Sequence, residues 1–421
     1  MTEPASSVKT GEKTGASRIS AFLGRLPRDW IVTASRTSIF RLFYQMLIPY
    51  LSIYTLGLGA TGADLGLVNC AGMAAAAILC PFTGWLMDRI GPKRIYLGGI
   101  ALLALSWLIY GLAQSWPIII FATVTYYIGF RTSGHSCSVI CANSLPTADR
   151  ATAMSCCESL AAGALGIIGP LAGAFIVTRS GGMTVAGIRP LFFLSLAGTA
   201  VSFVLVRSKL SDCRWGSTEK RKMNFLADIS ELFRHGKHLK KLIVISVISQ
   251  LPQGMIIPFT QPFAARQGAK EFVLGAMVTG FALTPLLIGI PAGRLSDRIG
   301  RKRVLFMLTP VFWASCLLLI FARSDIALIL AGVLQGSLFV CGVLTAALIF
   351  ELVEPQYMGR WIGVVGFFQM GTAAIVTLIS GIIWDRIGPQ YVFLIPIALD
   401  IFIKMPLLIC LPEKRRLRSD R

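Results

Sequence analysis

A small set of residues able to do chemistry stands where such residues are costly. Arg41, Tyr44 and Gln45 fall in an apolar run near 38–58, Arg131 and His135 in one near 117–142, and Glu158 in one near 152–178. Gln253, Gln335 and Gln369 hold comparable positions in the second half of the chain. A charge at the centre of a bilayer costs about 2.5–3.5 kcal/mol on insertion scales, so these side chains should face a polar interior or a solute and not lipid. Guanidinium groups attract anions, a histidine or buried carboxylate can carry a proton, and Tyr and Gln can both donate and accept hydrogen bonds. Arg131 lies midway along its run, too deep to snorkel easily. Arg41 sits about one turn inside its run and can reach the interface, whereas Arg36, just before the run, reads as an interfacial anchor. Glu158 either carries a proton or pairs with Arg131 or Arg41. His135 either carries a proton or makes a helix–helix hydrogen bond. Asp400 and Lys404, four apart, are expected to pair along one helix. Cys137 and Cys141 share a helix face, but only His135 is near, and no metal or other cofactor is expected. With no paired catalytic carboxylates and no Ser–His–Asp candidate, the chain does not read as an enzyme.

The elements that must position these residues are set by composition. The chain has 421 residues, 55% hydrophobic and 14% charged, with a mean hydropathy of +0.70. A soluble protein of that length cannot keep so much apolar surface from water. Twelve runs approach the roughly 20 residues that a helix needs to cross hydrocarbon, near 38–58, 64–86, 95–113, 117–142, 152–178, 188–206, 241–262, 271–292, 304–322, 325–350, 360–382 and 390–411. None shows the ten-residue alternation of a barrel strand, so the fold class is all-α and integral to a membrane. The net charge of +20 does not indicate nucleic acid. If the N-terminus is cytoplasmic, about 30 of the 40 Lys and Arg lie on that side, which is the positive-inside pattern. Residues 1–30 read as a disordered cytoplasmic tail, 31–206 and 241–411 as two six-helix bundles, 207–240 as a cytoplasmic linker and 412–421 as a second tail. Within the linker, 224–234 carries Phe225, Leu226, Ile229, Leu232 and Phe233 on one face of an amphipathic helix. No outer-loop cysteine pair suggests a disulfide.

The two bundles read as a repeat. Gly84, Asp88, Arg89, Gly91 and Arg94, in GWLMDRIGPKR, recur 209 positions later as Gly293, Asp297, Arg298, Gly300 and Arg303, in GRLSDRIGRKR. Pro146 and Pro355 keep the same offset, and Arg150 with Arg360 and Gly173 with Gly381 come within one residue of it. Halves of equal orientation, related by an axis along the membrane normal, are one known transporter architecture. In each loop the first Gly permits close helix approach, and the Asp can accept hydrogen bonds from a facing helix N-terminus. The second Gly permits the tight turn, and the basic residues anchor the loop on the inner side.

Both loops resemble the signature loop of the major facilitator superfamily, Gly-x-Leu-x-Asp-Arg-x-Gly followed by three basic residues. The first copy departs from it at Pro92, and the second matches throughout. The resemblance extends over the chain from about residue 30. It implies twelve transmembrane helices in two bundles that rock about a central cavity, with Asp88 and Asp297 latching the inner side. It also implies that helices one and seven line the cavity; Gln253 stands 209 positions after Tyr44. Arg131 resembles the arginine that the family's fourth helix links to proton coupling. AAGALGIIGPLAGA, 161–174, is similar to the fifth-helix motif of the superfamily's drug:proton antiporters. Gly169, Pro170 and Gly173 match it, Gly166 stands beside Leu165 at the first glycine, and Ala174 replaces the last. Pro170 and its glycines would form a hinge. GIIWDRIG, 381–388, reads as helix-end chemistry.

The expected function is secondary active transport of a small organic solute, driven by protons and directed outward, by a monomer in the cell membrane with both termini inside. No ATP-binding Gly-rich loop is present. Uptake of an organic anion is the alternative, because Arg41 and Arg131 make the cavity positive. A non-transporting sensor on the same fold is the alternative of another class.

Overall fold

The computed structural model describes residues 27–144, 164–212, 237–352 and 358–409. The tails, the stretch 224–234, Glu158, Pro146 and Pro355 lie outside them. Among the described residues the regular structure is helical throughout. The helices are α1 (Arg28–Leu47), α2 (Leu51–Gly57), α3 (Gly62–Ile90), α4 (Pro92–Leu112), α5 (Trp116–Ser144), α6 (Ala164–Arg179) and α7 (Val185–Lys209) in the first half. The second half contains α8 (Lys237–Ile248), α9 (Leu251–Arg266), α10 (Glu271–Ile299), α11 (Arg301–Phe321), α12 (Asp325–Gln335), α13 (Ser337–Leu352), α14 (Met358–Arg386), α15 (Tyr391–Leu399), a π-helical segment (Asp400–Lys404) and α16 (Met405–Ile409).

These elements make twelve rods, one for each apolar run. Four rods are broken. Between α1 and α2 lies Pro49, and α9 begins with Pro252 in its first turn, each lacking the N–H a continuous helix needs. Gly336 separates α12 from α13, and the π segment interrupts the last rod. Nine of the described spans are long and apolar enough to cross a membrane. α1 and α5, which carry Arg36, Arg41, Arg131 and His135, are not among them.

The repeat is visible in the backbone. α10 begins and ends 209 positions after α3, and α11 does the same relative to α4. Gly91 and Gly300 close the two equivalent turns with φ/ψ of 95°/147° and 100°/142°. Positive φ at both is why the duplicated motif carries glycine there, since a Cβ would be strained.

At the end bearing Thr61 and Asp385 the halves touch along two seams. α3 packs along α14, and α6 packs on α10. A Cβ built on Gly66 would lie 2.7 Å from the Thr377 carbonyl oxygen, and one on Gly275 would lie 2.9 Å from that of Pro170. Thr279 donates a hydrogen bond to the Ile167 carbonyl at 3.0 Å, and Tyr50 donates to that of Glu271 at 3.2 Å. Toward the end bearing Gly91 and Gly300 the described backbones part. A Cβ on Gly289, Gly293, Gly366 or Gly371 would meet nothing within 4 Å. Leu287 and Ile290 of α10 are exposed there. Among the described residues, therefore, the bundles are closed on each other at the Thr61–Asp385 end and open toward the basic end.

Candidate transport pathway

Beside the region where the halves part, α1 and α5 of the first half share an aromatic cluster. Tyr44 of α1, half-buried, stacks on Phe40 at 5.5 Å and on Tyr126 of α5 at 5.7 Å. Tyr126 in turn stacks on Phe130 at 5.7 Å. Tyr126, Tyr127 and Phe130 lie within a turn and a half of Arg131, so one face of α5 presents rings and then a cation. Arg131 is half-buried. Its Nη2 donates to Met370 Sδ of α14 at 3.0 Å, across the halves, while its Nε is buried with no hydrogen-bond partner. One turn on, His135 Nδ1 lies 3.0 Å from Thr83 Oγ1 of α3. Arg41 is half-buried on α1, three residues before Tyr44.

The remaining candidates divide. Gln253 is half-buried on α9, near α13: a Cβ on Gly342 would lie 3.8 Å from its Nε2. Gln369 of α14 donates to the Ser246 carbonyl at 3.4 Å. Gln335 is buried and donates to Thr260 Oγ1 at 3.2 Å, tying α12 to α9. Gln45 is buried against α6, where Cβ atoms on Gly166 and Gly169 would lie 3.4 Å from its Nε2 and 2.8 Å from its Cβ. Gly173 sits so close to the Met46 carbonyl that a Cβ would overlap it, and Pro170 lies inside α6 where α10 crosses. Gly166, Gly169 and Gly173 thus join α6 to α1, and Pro170 joins it to the other half.

The duplicated loops lie at the open end. Gly84 and Asp88 are in the last turns of α3, and their surroundings lie outside the described residues. Arg89 and Arg94 are exposed. In the second copy Asp297, Arg298 and Arg303 are exposed. Asp297, near the end of α10, reaches only Arg301 at the start of α11, at 4.0 Å, among the described ion pairs. In this conformation a Cβ on Gly293 would meet nothing within 4 Å, and among the described ion pairs Asp297 reaches only across the Gly300 turn.

Arg36 corrects an expectation. It is 4% exposed, with its guanidinium carbon 4.9 Å from the Phe40 ring and 5.2 Å from the Tyr96 ring. Two aromatic faces hold the cation inside the bundle, where the sequence suggested an interfacial anchor. Asp400 and Lys404 do pair along their helix, at 3.4 Å, and Trp313 Nε1 adds a bond to Asp400 at 3.3 Å. Cys137 and Cys141 lie against Thr37 and Thr33. The aromatic wall and Met370 are absent from the candidates drawn from sequence. Tyr126, Tyr127 and Phe130 were detectable by helical spacing from Arg131, but Met370 had no sequence signal.

The profile of the Major Facilitator Superfamily matches residues 36–241 and again 242–419. The chain is 26% identical over 274 residues to the multidrug resistance protein MdtG of Citrobacter koseri, covering 62% of this chain and 64% of that one. It is 25% identical over 276 residues to MdtG of Salmonella typhi, covering 63% and 65%. The chain thus spans a little under two thirds of the length of these relatives. Among solved structures, it is similar to the nucleoside transporter NupG, with a TM-score of 0.74 at 12% identity over 91% of this chain and 99% of the other. The xylose transporter XylE of E. coli, partially occluded and inward open, gives 0.68 at 13% identity over 92% and 98%. At such identities the likeness is one of fold. With a profile match to each half and two halves folded alike, the chain belongs to the Major Facilitator Superfamily, a family of transporters and not of enzymes.

Proposed function

We propose that the protein exports small organic solutes across the cell membrane by proton-coupled alternating access. The observation that carries this is two bundles closed on each other at one end and open at the other, with the Phe40–Tyr44–Tyr126–Phe130 stack beside Arg131, whose guanidinium reaches Met370 of the other half. Stacked rings accept flat apolar solutes of varied shape, because ring contacts demand little directionality beyond the face. The names of the MdtG relatives favour outward transport of such compounds. The basic residues at the open end favour a cytoplasmic assignment for that end and for both termini, so that the structure corresponds to an inward-open state. Arg41, Tyr44, Arg131, Gln253 and Gln369 would meet the solute, His135 or Glu158 would carry the proton, and α6 would flex at Gly166, Gly169, Pro170 and Gly173. Residues 207–240 would link two bundles, 31–206 and 241–411, within one functional monomer.

A second reading, uptake of an organic anion, is favoured by one observation: Arg131 Nε is buried without a partner and would bind a carboxylate. Everted membrane vesicles from cells making the protein decide between them. Proton-driven accumulation of a lipophilic aromatic dye, abolished by a protonophore, supports export. Accumulation of an aromatic carboxylate by right-side-out vesicles instead, with no dye movement in everted ones, overturns it.

A further inference from the structure

The four N–H groups at the start of α3 have two different owners. Asp64 N–H is accepted by Thr61 Oγ1 at 3.2 Å, and Thr61 N–H by Asp64 Oδ2 at 2.9 Å, a capping box within one chain segment. The other two, of Gly62 and Ala63, are accepted by the two carboxylate oxygens of Asp385, at 3.0 and 2.7 Å. Asp385 belongs to the last turn of α14, in the opposite half, 323 positions away from Gly62. The cap of one half's helix is thus completed by the other half's carboxylate. A negative charge there also meets the positive end of the α3 dipole.

The surroundings are built for this approach. A Cβ on Gly62 would overlap the Trp384 ring, and one on Gly381 would overlap the Gly62 carbonyl, so only glycines let α3 and α14 come this near. Trp384 is held from its own half, by Phe259 at 5.2 Å and by the Arg266 guanidinium at 5.6 Å. Asp385 is therefore carried on a stiff base.

We infer that Asp385 is the external latch of the transport cycle: a positioning residue that caps α3 only while the outer side is closed, and releases it when the halves part. When α3 and α14 separate, the Gly62 and Ala63 N–H groups and the carboxylate must each find water, whereas the Thr61–Asp64 box stays intact. The latch favours the inward-open state by the worth of a charged cap. Its loss should raise the outward-open population about tenfold, within the range known for capping aspartates at helix N-termini. It rests on the alternating-access reading above.

The test is labelling of the full-length protein in intact cells. Thr377, fully buried in the α3–α14 seam, is replaced by cysteine (Thr377→Cys), and its reaction with a membrane-impermeant maleimide added outside is followed against the parent chain. Adding Asp385→Ala should raise the labelling rate about tenfold. Adding Ala63→Pro, which removes one donor and leaves Asp385 in place, should raise it as well. Asp64→Asn alters the same helix end without touching the other half and should leave the rate within about twofold. Should Asp385→Ala fail to reach the membrane, Ala63→Pro against Asp64→Asn carries the test alone. Rates equal to that of Thr377→Cys alone, or an Asp64→Asn rate as high as that of Asp385→Ala, overturn the latch. The assay needs no solute, so such a result leaves the export reading standing. If Asp385→Ala opens the outer side while the wild-type chain moves no solute in vesicles, the export reading falls and the latch stands.

Discussion

Gly66→Ala places a wedge in the seam between the halves, and its consequence can be worked from the backbone. The new Cβ would lie 2.7 Å from the Thr377 carbonyl oxygen and 3.2 Å from the Cα atoms of Leu378 and Gly381. None of these atoms can rotate away, because all belong to the α14 main chain. Relief requires α3 and α14 to separate by about half an ångström, loosening the neighbouring Gly62–Trp384 and Gly381–Gly62 contacts with it. Overpacking of this kind costs about 1–3 kcal/mol. These three obstructing atoms all lie in the other half, so the cost falls on the closed seam and spares the open one. The ratio of closed to open seam should drop by about 5- to 150-fold. In proteoliposomes, Gly66→Ala should show near-normal thermal stability, faster external labelling at Thr377→Cys, and a markedly lower turnover because return to the inward-open state is disfavoured. Wild-type turnover together with wild-type labelling would refute the reasoning, since it would mean that the seam carries no state-specific strain.

Two further outcomes follow from the interior. Arg131→Met, close in size and uncharged, should reduce proton-driven transport at least tenfold while leaving the melting temperature in detergent nearly unchanged, because the lost Nη2–Met370 contact is the main described bond of that side chain; unaltered transport of every accepted solute would remove Arg131 from the pathway. Asp400→Leu should destabilise the protein by about 3–5 kcal/mol because it leaves the buried Lys404 ammonium unpaired, whereas Asp400→Leu with Lys404→Leu should be close to neutral; equal loss in the single and double variants, by thermal unfolding, would show that the pair does not act as a unit.

The fold was legible because a bilayer leaves few alternatives. Apolar runs of span length must be helices, since lipid offers the backbone no hydrogen-bond partner. The 209-residue offset was equally legible, and Gly91 and Gly300 show why: the same turn demands the same positive φ twice. The candidate site was legible in part. Arg131 announced itself by its depth, and the structure places its guanidinium against Met370 of the other half. Gln45 has the same polarity signal but lies at the α1–α6 contact, and Gln335 is spent on Thr260. A polar side chain in an apolar run signals only that it avoids lipid; a helix interface satisfies that requirement as well as a chamber does.

Arg36 shows the limit most sharply. From sequence alone it stands at the edge of a run, where a cation ordinarily reaches water. In the bundle it is enclosed by Phe40 and Tyr96, a ring 60 positions away along the chain that packing brings to its other side. The aspartate of GIIWDRIG was recognised as helix-end chemistry, but its helix proved to be 323 positions away, in the other half. Sequence by itself determined what must be helical, what must repeat and which end is basic, because those follow from hydrocarbon thickness, backbone hydrogen bonding and charge. Which polar groups lie at helix contacts, which face each other and at which end the halves are closed depended on where two bundles meet, and that is set by contacts between residues the chain keeps far apart.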